Sequence, residues 1–337
     1  MSLLGQLPAP PAGKSGWPWM EETPPPETAG PWPRITVITP SYQQGAFLEH
    51  TIRSVLLQNY PNLEYFVLDG GSTDGSREII EKYAPWLAGW RCARDTGQAA
   101  AVNEGWARAG GDVMAWINSD DWYYPGALAA IAPYFCAPHL VDWVSGSVDD
   151  CGVDGTYLRR HPARPTPLAE AIGFHQTGYY QPGMFWSRRL VEKIGRLDED
   201  SHLCFDLDFW ARSLVMGFGL VPLEVPIACF RQHFASKTSS RLNSIIEESR
   251  AVFHRYAPAL PPAARNQSIA WLREYTSDIL MHMVYGCLHE GNRAAALDFL
   301  FREWRTALGL RPRKLLFGLL YRSLISGSPP GWFSGSV

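Results

Sequence analysis

Val113-Met-Ala-Trp-Ile117 runs directly into Asn118-Ser-Asp-Asp121, with Tyr124-Pro125 just beyond. Five apolar residues closed by a polar cluster read as a buried strand, and Pro125 suits the first position of a helix reaching about residue 135. Two adjacent carboxylates after a buried strand suit a hard divalent cation, which takes oxygen ligands and shares them with phosphate. They also suit an acidic cap on the following helix. The same order of strand, polar turn and helix recurs upstream. Residues 34–39 are β-branched and apolar and end at Pro40, and residues 45–59 carry Ile52, Val55 and Leu56 at helical spacing before Pro61. Residues 63–68 form a second strand before Asp69. A helix with Ile79, Ile80 and Tyr83 on one side starts near Ser76, residues 90–93 read as a third strand, and the alanine-rich residues 97–109 read as a helix stopped by Gly110-Gly111. Such alternation predicts a mostly parallel sheet with helices on both faces, whose ligands bind beyond the carboxyl ends of the strands. The polar clusters at 39–43, 69–74, 94–95 and 118–121 all fall there.

The rest of the chain sets the boundaries. There are 337 residues, with 30 Lys and Arg against 33 Asp and Glu, 46% hydrophobic and 19% charged residues. This balance excludes a chain that grips nucleic acid by bulk charge and one disordered throughout. No run of about 18 apolar residues is present to span a membrane. The start lacks a basic-then-apolar leader, so a cytoplasmic protein is expected. Six cysteines without a CxxC pair read as incidental thiols. Nine prolines in residues 1–33 read as a linker-like tail, with Trp17, Trp19 and Trp32 able to dock it. Residues 138–240 mix short strands (142–147 and 184–186) with helices over 190–194 and 206–216. Residues 243–337 read as helical.

Four further clusters carry candidate chemistry. Asp69-Gly-Gly-Ser-Thr-Asp-Gly-Ser76 is either a capped turn or a nucleoside loop that glycines open to close approach; its glycines at 70, 71 and 75 do not make a dinucleotide fingerprint. Arg94-Asp-Thr-Gly97 and Asn103 open and occupy the next helix. Gln181-Pro-Gly-Met-Phe-Trp186 precedes Phe205-Asp-Leu-Asp208, where Asp208 and Arg212 stand one helical turn apart and can pair. Phe230-Arg-Gln-His-Phe-Ala-Ser-Lys-Thr238 mixes Arg231, His233 and Lys237 with hydroxyls, as a diphosphate or a metal requires, although a lone histidine is as readily structural.

In order and spacing, residues 34–240 resemble the inverting family 2 glycosyltransferases, whose GT-A fold is a three-layer α/β/α sandwich. The resemblance implies a glycosyltransferase domain over 34–240, with a nucleotide-binding half (34–135) and an acceptor half (136–240), followed by a C-terminal helical extension over 241–337. It implies that Pro40, Ser41, Tyr42, Asp69, Asp95, Asn118 and Ser119 hold the donor nucleotide. Asp120, with Asp121 and His233, would hold Mn2+ or Mg2+, and Arg231 and Lys237 would face the diphosphate. Asp206 would be the general base, and Gln181, Trp186 and Asp208 would lie on the acceptor side. Asn118 stands where the family's motif opens with Asp, and Phe205 where many relatives carry Glu, which leaves the choice between Asp206 and Asp208 open. The implied reaction moves a sugar from a nucleotide-diphosphate sugar to a glycan or lipid-linked glycan with inversion, in polysaccharide or glycoconjugate biosynthesis.

Two other readings stand beside it. A sugar nucleotidyltransferase would want a basic loop after the first strand, and Pro40-Ser-Tyr-Gln-Gln44 has no basic residue. A catalytically inactive sugar-nucleotide or glycan-binding protein is the other, kept open by the absent acid at 118. Residues 302–322 hold six basic side chains and one acidic, Glu303, among leucines. Such a helix either rests on an anionic membrane surface or packs against protein.

Overall fold

The computed structural model describes residues 2–25, 32–137, 139–175, 177–233, 242–289 and 292–302. The chain divides into two units, one of Met1–Pro167 with Thr177–Ser236, the other of Leu168–Gln176 with Lys237–Val337. In the first unit the order is β1 (Ile35–Ser41), α1 (Gly45–Leu56), β2 (Leu63–Asp69), α2 (Ser76–Tyr83), β3 (Gly89–Cys92), α3 (Gln98–Arg108), β4 (Val113–Trp116), β5 (Trp122–Tyr123), α4 (Ala127–Ile131), β6 (Trp143–Cys151) and β7 (Tyr157–His161). After α5 (Leu168–Gly173), which groups with the second unit, come β8 (Met184–Ser187), α6 (Arg188–Ile194), α7 (Phe205–Val215) and β9 (Val221–Arg231).

One sheet orders these strands β3-β2-β1-β4-β8-β6-β9-β5, with β7 on β6. It is parallel from β3 to β4, as the alternation predicts, and mixed beyond: β8 runs antiparallel to β4 and β6, while β9 returns parallel to β6. The core under the parallel part is built from the residues whose periodicity announces it. Ile35 and Val37 of β1 meet Ile52, Val55 and Leu56 of α1, Ile80 of α2 and Val113 of β4, all buried. At Gly146 of β6, a Cβ would lie 1.8 Å from Ile227 Cγ1 of β9, so no larger residue fits this crossing.

The N-terminal segment differs from the linker-like expectation. Leu7 and Trp19 are buried, and the Trp17 indole N–H donates to the Tyr123 carbonyl (2.8 Å). Arg53 on α1, also buried, donates to the carbonyls of Pro8, Pro18 and Trp19 (2.9–3.0 Å). Trp17 and Trp19 thus dock a segment whose proline content alone predicts no order.

The incidental-thiol expectation fails for two of the six cysteines. Cys151 at the end of β6 and Cys229 on β9 form a disulfide across 78 residues of sequence. The β6–β9 pairing brings them together, and that pairing leaves no mark in cysteine spacing.

In the second unit, α8 (Leu242–Tyr256), α9 (Pro262–His289) and α10 (Arg293–Arg302) join α5. Ile246, Leu280, Val284, Leu288, Ala296 and Leu300 form its core, and Phe174 and His175 stack on Tyr275 and Trp271. Among the described residues no helix is long and apolar enough to cross a membrane. The basic stretch beyond residue 302 lies outside the described residues.

Candidate active site

The carboxyl ends of β1, β2, β3 and β4 converge as the parallel topology requires. Pro40 and Ser41 are buried at the end of β1, and the Ser41 carbonyl accepts from Gly70 N (2.8 Å). Ser41 Oγ has no hydrogen-bond partner among the described residues, although it is buried. Tyr42 is 63% exposed. A Cβ on Gly70 would stand 3.2 Å from both the Tyr42 ring and Asp95 Oδ1, so this glycine floors a slot between Tyr42 and Asp95. Asp95 is held by Gly97 N (3.0 Å) and Arg91 Nη2 (2.9 Å).

Asp69, expected at the base or ribose, is bonded within its own loop. It is fully buried, its Oδ1 accepts from Gly71 N (2.9 Å) and Ser72 N (2.7 Å), and its Oδ2 accepts from Ser72 Oγ (2.7 Å). Its carboxylate is turned into its own glycine-rich turn and shapes that turn.

The Asn118–Asp121 cluster also divides. Asp121 is fully buried: Oδ1 accepts from Arg231 N (2.9 Å) and Oδ2 from Asn118 Nδ2 (3.2 Å). Burial, with Asp120 beside it, drives the Asp121 carboxyl well above the usual carboxylate range, against the pull of those two donors. An acid so enclosed fastens β9, a different setting from the supporting place beside a cation expected for it. Asp120 keeps part of its surface open, and its Oδ2 lies 2.9 Å from His233 Nε2. Asn118 accepts from Gln98 Nε2 (2.6 Å), which ties the acidic loop to the start of α3. Ser119 is buried, with its carbonyl 2.9 Å from the Thr51 hydroxyl.

On the far side of the same loops, Asn103 fixes the chain that leads to α7. Its Nδ2 donates to the Leu197 carbonyl (3.0 Å) and Glu199 Oε1 (2.9 Å), and its Oδ1 accepts from Leu197 N (2.9 Å). A Cβ on Gly97 would lie 3.7 Å from His202 Nδ1, so the 197–204 segment lies against the Asp95–Gln98 turn. Asp206 follows in the first turn of α7, half-buried. Asp208 is buried and pairs with Arg212 (2.9 Å), whose other nitrogens hold the carbonyls of Ile194 and Arg196. Of the two acids, Asp206 is the more exposed and Asp208 the more enclosed.

A family model described as glycosyl transferase family 2 matches residues 36–195. An uncharacterized glycosyltransferase of Mycobacterium tuberculosis strain H37Rv is 30% identical over 188 residues, covering 55% of this chain and 70% of that one. The chain belongs to glycosyl transferase family 2. A second relative, from Nostoc sp. strain PCC 7120 and also an uncharacterized glycosyltransferase, is 26% identical over 275 residues, 75% of this chain and 77% of its own. Two solved structures share the fold. Staphylococcus aureus TarS 1–349 in complex with UDP-GlcNAc has a TM-score of 0.55 at 17% identity, covering 87% of this chain and 88% of that one. The mannosyltransferase PcManGT from Pyrobaculum calidifontis, in complex with GDP-Man and Mn2+, has a TM-score of 0.56 at 19% identity, covering 94% and 92%. The chain spans 54% of the longer TarS structure.

Three expected positions of this glycosyltransferase fall elsewhere in the fold. Trp186 is fully buried and stacks on Trp116 (4.7 Å between centroids), so it is core and faces no acceptor. Gln181 is buried and donates to the Trp116 carbonyl (2.6 Å), which likewise removes it from the acceptor side. Arg231 is buried with its guanidinium committed to protein groups, against the expected role on the diphosphate. Lys237 lies outside the described residues. Two features of this family 2 enzyme escaped the sequence. Arg91 binds Asp95, Glu104 and the Asp69 and Ala93 carbonyls together. The sequence places Asn103 within the helix after Asp95 but does not show the clamp; its signal was a polar residue on the alanine-rich face of α3.

Proposed function

We propose that this chain transfers a sugar from a nucleotide-diphosphate sugar to an acceptor hydroxyl with inversion, the acceptor being a glycan or lipid-linked glycan. One continuous set of contacts supports it: the Asp120–His233 pair, the Gln98 link from Asn118 to α3, and the seating of the 197–204 segment, which ends at Asp206, on the Asp95–Gln98 turn. In this scheme Tyr42, Gly70 and Asp95 line the nucleoside slot, with the unpartnered Ser41 hydroxyl beneath it.

Among the described residues no group of three or more His, Cys, Asp or Glu side chains is placed to hold a metal ion. Asp120 and His233 instead place one oxygen and one nitrogen 2.9 Å apart with little of either side chain exposed, and these two would hold Mn2+ or Mg2+, whose remaining ligands the donor's phosphate oxygens would supply. When bound, the ion neutralises charge on the departing nucleoside diphosphate. Asp206 takes the acceptor proton as the acceptor oxygen bonds to the anomeric carbon and the carbon–phosphate-oxygen bond breaks. A single displacement inverts that carbon and needs no carboxylate nucleophile.

The test is a panel of UDP- and GDP-sugars incubated with Mn2+, with and without glycan acceptors, scored for nucleoside diphosphate release and for product anomeric configuration. Release with inversion is expected, and Asp120→Ala lowers it by weakening metal-dependent donor binding. Pyrophosphate release from a nucleoside triphosphate and a sugar phosphate would assign a nucleotidyltransferase. Binding without turnover across the panel would assign a non-catalytic sugar-nucleotide protein.

A further inference from the structure

Arg231 is 4% exposed, too enclosed to meet a substrate. Its Nε donates to the Asp120 carbonyl (2.8 Å), Nη1 to the Val153 carbonyl (2.5 Å), and Nη2 lies 3.0 Å from His50 Nδ1. Its own amide donates to Asp121 Oδ1 (2.9 Å). The guanidinium lies between two rings, 4.4 Å from the Trp122 centroid and 4.7 Å from that of Phe47, the arrangement in which a desolvated cation is attracted to aromatic faces. Phe47 in turn touches the His233 ring (4.9 Å), and His50 stacks on Trp122 (4.7 Å) with Trp19 of the N-terminal segment at 5.6 Å. One side chain therefore fixes the backbone of Asp120, the turn between β6 and β7, and the ring against which His233 rests.

We propose that Arg231 is a positioning residue: seated between Phe47 and Trp122 and bonded to His50, it sets the Asp120 carboxylate and the His233 imidazole at the spacing an ion and a diphosphate require. The proposal rests on the reading of Asp120 and His233 as the metal edge. Lysine cannot substitute, because one ammonium cannot reach the carbonyls of Asp120 and Val153 and the His50 nitrogen in the fixed directions a planar fork provides. A residue that touched the diphosphate as a point charge would tolerate lysine.

The experiment is titration calorimetry of the full chain with UDP and with GDP, each with and without Mn2+. Wild type is expected to bind one of them more tightly with Mn2+; binding of neither overturns the functional reading itself. Given binding, Arg231→Lys and Arg231→Met are expected to lose Mn2+-dependent affinity equally, by about tenfold to a hundredfold, as for a broken buried charged network. An Arg231→Lys protein within about twofold of wild type overturns positioning in favour of a charge on the diphosphate. Should the Arg231 variants melt early, His50→Phe decides. It keeps the stack on Trp122 and removes the acceptor, so a loss of about threefold to tenfold supports positioning, and unchanged Mn2+-dependent affinity overturns it.

Discussion

Arg53→Met tests whether the proline-rich N-terminal segment is part of the folded unit. Arg53 is fully buried on α1. Its Nε donates to the Pro18 carbonyl (3.0 Å), Nη1 to the Pro8 carbonyl (2.9 Å) and the Tyr83 hydroxyl (3.0 Å), and Nη2 to the Trp19 carbonyl (3.0 Å). The guanidinium also lies 5.4 Å from the centre of the Trp19 ring. Methionine keeps the helix and most of the volume but strands three carbonyls. Each hydrogen bond to a charged group is worth about 1.5–3 kcal/mol, yet the four share one side chain and do not add. The carbonyls also escape part of the penalty if the segment lifts and hydrates. Both effects cap the loss at about 3–5 kcal/mol, the usual cost of breaking a buried charged network. In a chain this long that lowers Tm by roughly 6–20 °C. Urea unfolding and a thermal melt measure it, and tryptic cleavage at the exposed Lys14 reports release of the segment. A variant within about 1 kcal/mol of wild type, cut at Lys14 no faster, would show that Arg53 does not hold the segment.

The other predictions concern the site. Asp206→Asn is expected to lower turnover about 10²- to 10⁴-fold with donor affinity intact, whereas Asp208→Asn lowers stability by about 1–3 kcal/mol through its pairing with Arg212; steady-state kinetics beside thermal melts separate them, and the reverse pattern exchanges the assignments. Asn103→Leu strands the Leu197 amide and carbonyl, so amide exchange over 197–204 accelerates about tenfold or more; unchanged exchange would show the clamp carries no load. Burial, then the nearby Arg231 and Lys14 charges, depress His50 to about 3. The unfolded chain, titrating near 6.5, therefore takes up its proton first. The stability held by this neutral imidazole is complete above about pH 6.5 and is lost as pH falls from there towards the folded value, by up to about 1.4 kcal/mol per pH unit. His50→Phe should flatten that slope in urea titrations, and equal slopes reject the assignment. Asn118→Asp puts a carboxylate 3.2 Å from Asp121 Oδ2, so the variant that restores the family's acid loses about 1–3 kcal/mol at neutral pH; a raised Tm would contradict this.

What the sequence shows and hides has a physical pattern. The strands of the parallel half are β-branched apolar runs flanked by helices of clear periodicity, and β1 to β4 with α1 to α3 lie where that periodicity puts them. β9 went unread because Pro222 and Pro226 remove ladder donors and count against a strand. Extra β9 residues opposite the Gly146–Ser147 and Ser147–Val148 steps of β6 shift the register on both sides of Pro226, while Pro222 stays in register with Ser145. β7 has no apolar alternation, since it lies at the margin with Tyr157 and Leu158 exposed. In the site, motif spacing marks loops at the strand ends but carries no information on which way each side chain turns. Asp69, Asp121, Arg231 and Trp186 are all buried, and each was read as facing a ligand.

The division between facing and buried residues follows from chain geometry. Asn118–Asp121 is a turn closed by the Asp121 amide on the Asn118 carbonyl (3.1 Å), and its two neighbouring acids take different partners. Asp120 pairs with His233 and keeps a small part of its side chain open, while Asp121 turns inward to accept the Arg231 amide. Asp69 turns inward and leaves Gly70 to floor the slot. On α7, residues two apart lie on roughly opposite faces, so Asp206 is half-buried while Asp208 is enclosed and pairs with Arg212. A doubled acid in this fold is thus one partly open carboxylate and one enclosed fastening. Buried polar bonds hold the loops at these strand ends in place. The same logic accounts for Asn118: its amide satisfies both Gln98 and Asp121, whereas an aspartate could only accept and would set a second charge against a buried acid.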